Sequence, residues 1–395
     1  MQFVQKSAII EKNKMKRTTF MRRIKQVFLL LMALLMVLSA VACEQPTEQT
    51  ETSGTDTETS VSSSDTSDVT ESKKFPLFDP EIEHKIIMDV SARGILVVDL
   101  NKSGDHPEDW DVEEGIIWEW STSDVKNAQM SNVSVTMDSA RLRYSPYYGC
   151  DVIVFCGSGG WVGIVSYETK ELLFEDKPGN GPHSAELLPN GDLILACSGN
   201  SNNNKGSVLY YPLSAGAKKP TSTLPLRSAH GVCYDPQQDV VWALGYQEII
   251  AIAVSGRGTM NAKISKIDGM GVAVPTVSGH ELCPAYGYPG KYWVSSAKAV
   301  YVFDSVNGTL SAGDLQADKY NKTNVKGMAY FPDGTMVQTS HDQGGTGTYR
   351  SSLLRIIYPT MSSGRVQSRI IKSEMIPHAK DYQSYKVNVF TKDYQ

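Results

Sequence analysis

The sequence predicts an all-β fold, a six-bladed β-propeller with seven blades as the alternative, and three observations carry that prediction. First, Pro182-His183-Ser184-Ala185, Ala229-His230-Gly231-Val232, Gly279-His280-Glu281-Leu282 and Val325-Lys326-Gly327-Met328 recur at intervals of 47, 50 and 46 residues. Each opens an apolar strand that is followed by a turn and a second apolar strand, and a period of that size is the mark of propeller blades. Second, short strand patterns bounded by turn residues dominate the chain beyond residue 75, and helical periodicity is nearly absent. Third, Tyr385–Phe390 is a lone final strand. Joined to the first blade, it closes the ring and removes exposed sheet edges.

The third blade is the clearest. His183–Leu188 reads as its first strand, Pro189-Asn190-Gly191 as a turn, Asp192–Cys197 as the second strand, Ser207–Pro212 as the third and Thr221–Leu226 as the fourth. Blade four repeats this with His230–Tyr234, Val240–Leu244 and Glu248–Val254, and blade five with Glu281–Tyr286, Lys291–Ser295 and Ala299–Asp304. Blade six has Gly327–Phe331, a Pro332-Asp333-Gly334 turn, Met336–Thr339 and Leu353–Tyr358. Blade two has Ala140–Tyr144, Asp151–Cys156 and Val162–Tyr167. Ile86–Val90, Gly94–Leu100 and Ile116–Trp120 form a first blade that lacks an innermost strand.

Ahead of the propeller, assigned to 75–395, stand two other segments. Residues 1–42 read as a signal peptide: basic residues precede an apolar run from Val27 to Ala42. A run this short suits a signal core better than a membrane span, which needs about 20 residues. Ala40-Val41-Ala42-Cys43 resembles the bacterial lipoprotein signal, although Ala40 stands where leucine is usual. That resemblance implies cleavage before Cys43, lipidation of its thiol and attachment to the outer face of the cell membrane. Residues 43–74 are a Thr/Ser/Glu/Asp-rich tether that has no apolar surface to bury and is expected to stay disordered.

With residues 1–42 removed, 30 basic groups face 42 acidic ones, a net charge of −12. That balance, and the lack of a basic stripe, argue against a nucleic-acid partner. Beyond Cys43 the cysteines are Cys150, Cys156, Cys197, Cys233 and Cys283, an odd number with no metal-type pairing. Most lie in apolar strands, where a thiol acts as a small hydrophobe.

Pro182 to Pro189, Ala229 to Val232, Gly279 to Leu282, Ile117-Trp118-Glu119-Trp120 and Tyr385-Lys386-Val387 together resemble an uncharacterised family of bacterial secreted propellers. The resemblance covers most of residues 86–390. It implies the fold and a surface location, and it transfers no catalytic role.

In an up-and-down blade the innermost strand lines the channel and starts on the face that also carries the turn between the second and third strands. Residues opening these strands, Arg141, His183, His230, His280 and Lys326, are therefore expected around one channel mouth. Pro377-His378-Ala379 echoes Pro182-His183-Ser184 and brings in His378. The second-to-third-strand loops add Trp161, His341, Asp342 and Gln343. Repeat duplication alone would place histidines at equivalent positions, where they would only bridge blades. Lys326 breaks that pattern, because a buried lysine must be paired or wet.

Three readings follow for the mouth. Its donors suit a carboxylate or phosphate, so it binds a small anion or an acidic glycan, with Trp161 stacking on a sugar face. Alternatively, His183, His230 and His280 hold a divalent metal, resembling in kind the sites of propeller-type pectate-fragment lyases. There the ion acidifies the proton beside a uronate carboxylate, and Lys326 or Arg141 would act as base or clamp. A cationic lysine so close would repel the metal. In the third reading the propeller is a protein-interaction platform and the ring is irrelevant. No H-E-x-x-H, nucleophile elbow or phosphate loop is present.

Overall fold

Each blade is built from short strands rich in Val, Ile and aromatic residues, the types that pack well on a pleated, half-buried surface. In the computed structural model the described residues are 82–90, 93–102, 112–124, 137–199, 205–341, 349–351, 354–358, 367–370 and 383–395. All belong to the second of two units into which the chain divides, Ser72–Gln395. The signal peptide, the tether, Cys43, Asp342, Gln343 and His378 lie outside the described residues.

Among the described residues twenty-four strands pair antiparallel into six four-stranded sheets, and the protein is a six-bladed β-propeller. Blade one joins β24 (Val387–Val389) to β1 (Lys85–Val90), β2 (Gly94–Asp99) and β3 (Ile116–Trp120). Blade two holds β4 (Ser139–Ser145), β5 (Cys150–Gly157), β6 (Trp161–Ser166) and β7 (Leu172–Asp176). Blade three holds β8 (Pro182–Leu187), β9 (Leu193–Cys197), β10 (Ser207–Tyr211) and β11 (Ser222–Pro225). Blade four holds β12 (Gly231–Asp235), β13 (Val240–Leu244), β14 (Glu248–Ser255) and β15 (Lys263–Ala273). Blade five holds β16 (Leu282–Pro284), β17 (Lys291–Ser295), β18 (Val300–Asp304) and β19 (Thr309–Ser311). Blade six holds β20 (Val325–Tyr330), β21 (Met336–Ser340), β22 (Leu354–Tyr358) and β23 (Gln367–Ile370).

The ring closes as expected, with the C-terminal β24 paired to β1 through Met88↔Val387 and Ile86↔Val389. The outer strands β7, β15, β19 and β23 were not anticipated. β15, at the rim of blade four, is mostly exposed or half-buried, with Ile264 its one buried residue, and so carries little hydrophobic signal.

The core is divided among the blade interfaces. One cluster joins Ile86, Met88, Leu96 and Val98 of blade one to Ala329, Phe331, Val337 and Ile356 of blade six. Another joins Trp118 and Trp120 of blade one to Leu142, Ile153 and Phe155 of blade two. The tryptophan pair also ties these blades through hydrogen bonds, Trp118 Nε1 to Tyr167 O at 2.9 Å and Trp120 Nε1 to Lys170 O at 3.1 Å. All five described cysteines are free thiols.

Inner strands approach closely at two glycines that follow ring residues. A Cβ on Gly327 would lie 2.6 Å from the Cα of Lys386, and one on Gly231 would lie 2.7 Å from the Cβ of Leu282. Neither position has room for a side chain, and this tight contact packs the strand starts of neighbouring blades around the channel.

Candidate functional site

The starts of the inner strands share a local device. The backbone turns through the left-handed region at Asn180, Ser228, Ser278 and Asn324, with φ of 60°, 50°, 58° and 58°. These are unusual conformations for side-chain-bearing residues, held by the surrounding fold. Two or three residues later the chain bulges. The pairing register shifts between Pro182 and Ser184 and between Val325 and Gly327, leaving His183 and Lys326 as the extra residues. In blade four the amide of His230 bonds to Leu244 O, opposite the Gly231–Leu244 pair. A bulge re-aims the side chain it carries, and here it turns each one toward the channel mouth.

His183, His230, His280 and Lys326 line one cavity of about 790 Å³. Asp138 and Tyr385 complete the ring, so all six blades contribute one opening residue. Asp138, not Arg141, is the equivalent residue of blade two, because its amide bonds Cys156 O just ahead of the Ser139↔Cys156 pair. The other walls include Ser158, Ser278, Asn324, Tyr349 and Arg350.

The imidazoles form a stack. His183 and His230 lie face to face, centroids 4.3 Å apart and planes 11° apart, and His280 meets His230 edge-on at 5.2 Å. His183 Nδ1 lies 2.9 Å from Asp138 Oδ2, a close electrostatic contact without the alignment of a hydrogen bond. The Nδ1 of His230 is 2.8 Å from Ser228 O. Burial, followed by the neighbouring His183 and His280, pushes His230 well below the usual histidine range. Burial, then the charges of Lys326 and Lys386, does the same to His280. Both are neutral at pH 7.

Lys326 is 5 % exposed, and its Nζ is 2.6 Å from His280 Nε2. The rings of Tyr349 and Tyr385 flank its ammonium at 5.9 and 6.0 Å. Burial, helped by the charge of Lys386, lowers its pKa to about 8. Arg350 is anchored by Asp138 Oδ1 at 2.8 Å and Asp89 Oδ2 at 2.5 Å. Burial keeps the Tyr385 phenol protonated, with Asp138 and Glu281 adding to the effect.

Below the mouth the channel is filled. Arg141 is buried there, its Nη1 2.9 Å from Glu186 Oε2 and 2.5 Å from Val232 O. Arg143 holds the same carboxylate through Nε at 2.7 Å. Lys386 Nζ donates to His230 O at 2.7 Å and lies 3.4 Å from Glu281. The C-terminal residues seal the far end: Arg143 sits 4.7 Å from the Tyr394 ring, the Tyr394 hydroxyl donates to Leu187 O at 2.7 Å, and Gln395 accepts from Gly290 N at 3.1 Å. The cavity is therefore a cup, open at one mouth. Five buried cations (Arg141, Arg143, Lys326, Arg350, Lys386) face four buried carboxylates (Asp89, Asp138, Glu186, Glu281). Burial raises the pKa of Glu281 despite Lys386 and Arg141, and burial does the same to Asp89 despite Arg350, so the cup leans toward positive charge.

The remaining residues singled out in the sequence are placed elsewhere. Trp161 is buried in the interface between blades one and two, with Lys177 4.8 Å from its ring, so it offers no face for stacking a sugar. His341 packs 5.6 Å from the Tyr349 ring and is not one of the residues lining the cavity. Among the described residues no group of three or more His, Cys, Asp or Glu is arranged to hold a metal ion. The parallel stack of His183 on His230 explains this, because parallel rings do not aim their in-plane lone pairs at a common point. Asp138, Arg350 and Tyr385 carry no site signal of their own in the sequence, except that Asp138 stands three residues before Arg141, immediately ahead of β4.

A model of the family of unknown function DUF6528 matches residues 57–347. The chain belongs to this family. No curated protein matches the sequence. Among solved structures it is similar to the hydrazine synthase of Kuenenia stuttgartiensis, with 12% identity over 65% of this chain and 72% of that one and a TM-score of 0.38. A functionally unknown protein from Desulfotomaculum acetoxidans is 8% identical over 74% of this chain and 79% of its own, with a TM-score of 0.40. The Neurospora crassa Pan2 WD40 domain is 9% identical over 59% of this chain and 65% of its own, also with a TM-score of 0.40. Likenesses this distant say nothing of function, and the architecture of this DUF6528 member rests on its own strand pairing.

Proposed function

We propose that this DUF6528 protein is a cell-surface lipoprotein that binds a small anionic ligand, a carboxylate, a phosphate or the end of an acidic glycan, in the cup at its channel mouth. One observation carries the reading: Lys326 lines the cavity, nearly buried, with no carboxylate within 4.0 Å among the described residues. A buried cation without a counter-ion is costly, and a bound anion supplies one. At pH 7 an amine with a pKa of about 8 is mostly protonated, so the charge is present to be paired. His183, His230 and Tyr385 line the same cavity and add hydrogen-bonding groups around it.

Calorimetric titration with a panel of short mono- and dicarboxylates, phosphate and uronate oligomers tests the reading. Binding of one anionic class, weakened about tenfold or more by Lys326→Met, is the expected result, since one charge-assisted hydrogen bond contributes ~1.5–3 kcal/mol. Equal binding by Lys326→Met, or binding of neutral sugars only, would overturn it. The surface anchor is tested separately by the intact mass of the amino terminus: a diacylglyceryl group on Cys43 supports lipidation, and an unmodified or uncleaved Cys43 refutes it.

A further inference from the structure

Lys326 differs from every other buried cation of the channel. Arg141, Arg143 and Arg350 each hold a carboxylate at 2.9 Å or less, and Lys386 lies 3.4 Å from Glu281. The only hydrogen-bond partner of Lys326 Nζ among the described residues is a ring nitrogen, His280 Nε2 at 2.6 Å. His280 in turn has a buried Nδ1 without a hydrogen-bond partner among the described residues, so the lysine is the one hydrogen-bonding group that holds its imidazole, beside the edge-on contact with His230. An amine in contact with a neutral base, in a walled cavity and beside a second buried ammonium, is the arrangement that activates a lysine as a nucleophile.

We infer that Lys326 is a carbonyl-reactive amine and that the cup takes a ligand bearing an aldehyde or ketone next to its acidic group, the 2-oxo acid type, as a covalent imine. The inference rests on the anionic-ligand reading and extends it to a substrate class. The lone pair of the neutral Nζ attacks the carbonyl carbon, forming the C–N bond while the C=O electron pair moves to oxygen. A proton leaves Nζ for His280 Nε2 and passes to the carbinolamine oxygen. The second Nζ proton follows the same path through His280 Nε2 to the hydroxyl oxygen, and water departs as the nitrogen lone pair forms C=N, so amine and carbonyl give imine and water with no change in oxidation level. Electrostatics support the geometry: with a pKa of about 8, about a tenth of Lys326 is neutral at pH 7, against fewer than one in a thousand exposed lysines. The Tyr385 hydroxyl is a proton-bearing group in the same cavity, available to hydrogen-bond the carbinolamine oxygen.

The test treats the full-length protein with pyruvate and cyanoborohydride at neutral pH and maps the reduced adducts by peptide mass spectrometry. Calorimetric binding of pyruvate is measured in parallel. Labelling of Lys326 about tenfold or more above any surface lysine, lost in Lys326→Arg and reduced at least about fivefold in His280→Phe, is the expected result. The wild-type map stands on its own if either variant fails to fold. Pyruvate binding with Lys326 labelled no faster than surface lysines overturns the imine and leaves the anion site intact. No binding of pyruvate, or of any anion in the panel above, overturns both.

Discussion

Lys386, on the segment that leads into the ring-closing strand, donates its ammonium across the channel to the backbone carbonyl of His230, 2.7 Å away in blade four. The same ammonium neutralises Glu281 of blade five at 3.4 Å, and the Lys386 amide binds Asp89 of blade one at 2.9 Å. One residue thus ties three blades and sets the floor of the cup. Lys386→Ala removes the nearest cation from a fully buried carboxylate and is expected to cost about 3–5 kcal/mol. Urea denaturation measures the loss. A cost under about 1 kcal/mol would mean that Glu281 takes up a proton freely, making the link dispensable.

Lys326 should behave in the opposite way. Its pKa falls from the lysine value of 10.5 to about 8, so the ammonium, the main form at pH 7, is held in the fold at a cost that the unfolded chain does not bear. Lys326→Met is therefore expected to stabilise the protein by roughly 1–3 kcal/mol while it weakens anion binding about tenfold or more. The sign with pH follows from the lowered value. Between about pH 8 and 10.5 the unfolded chain holds a proton that the folded protein has released, so stability contributed by this group rises with pH across that window. Denaturation midpoints of wild type and variant should converge as pH rises through it; parallel curves would show that Lys326 titrates normally.

Much of this organisation was readable from local sequence, because turns and strands are encoded by neighbours. Pro189-Asn190-Gly191 and Pro332-Asp333-Gly334 punctuate two blades, and the repeat spacing placed His183, His230, His280 and Lys326 at equivalent points. Four of the six outer strands, β7, β15, β19 and β23, were not readable, because a rim strand such as β15 buries too little to show an apolar pattern. Partners were also hidden. Arg350 meets Asp89 and Asp138 across 261 and 212 residues of chain, and no local pattern reports such contacts. Arg141 was placed too near the mouth for a related reason: the strand that carries it starts at Ser139, so the blade-two ring position falls to Asp138. Trp161 looked available because it follows a glycine-rich turn, but the blade interface claims its ring.

The histidine stack predicts acid sensitivity. Burial holds both His230 and His280 well below the ordinary histidine value of 6.5. Above about pH 6.5 they are neutral folded or unfolded. Below it the unfolded chain binds protons that the folded protein refuses, so stability falls as pH drops, by up to about 1.4 kcal/mol per pH unit per histidine. Glu281 and Asp89 act in the opposite direction, since burial raises both carboxyls. Comparing wild type with a His230→Gln, His280→Gln double variant isolates the imidazoles. The variant should show a shallower decline between about pH 6.5 and 5, and identical slopes would assign the acid response to other groups.

The seal at the far end of the channel gives the last prediction. Tyr394 packs its ring 5.0 Å from Tyr234, sits under Arg143 and donates to Leu187 O, while Asp393 O accepts from Arg143 Nη1 at 3.3 Å. Blades two, three and four therefore meet on one short tail. Removing residues 391–395 exposes the Arg143–Glu186 pair to water, converting a dry ion pair into a wet one and deleting an aromatic contact. The loss is expected to be about 2–4 kcal/mol, most of it from the half-buried tyrosine. Tyr394→Phe keeps the ring and loses only the hydrogen bond to Leu187, so it should cost about 1 kcal/mol. If the tail only plugs the channel, anion affinity at the opposite mouth stays within about twofold of wild type in both variants, because Lys386 and Glu281 lie between the two ends. A large change in affinity would instead show that the floor of the cup is held in place from below, through Arg143, Glu186 and Arg141.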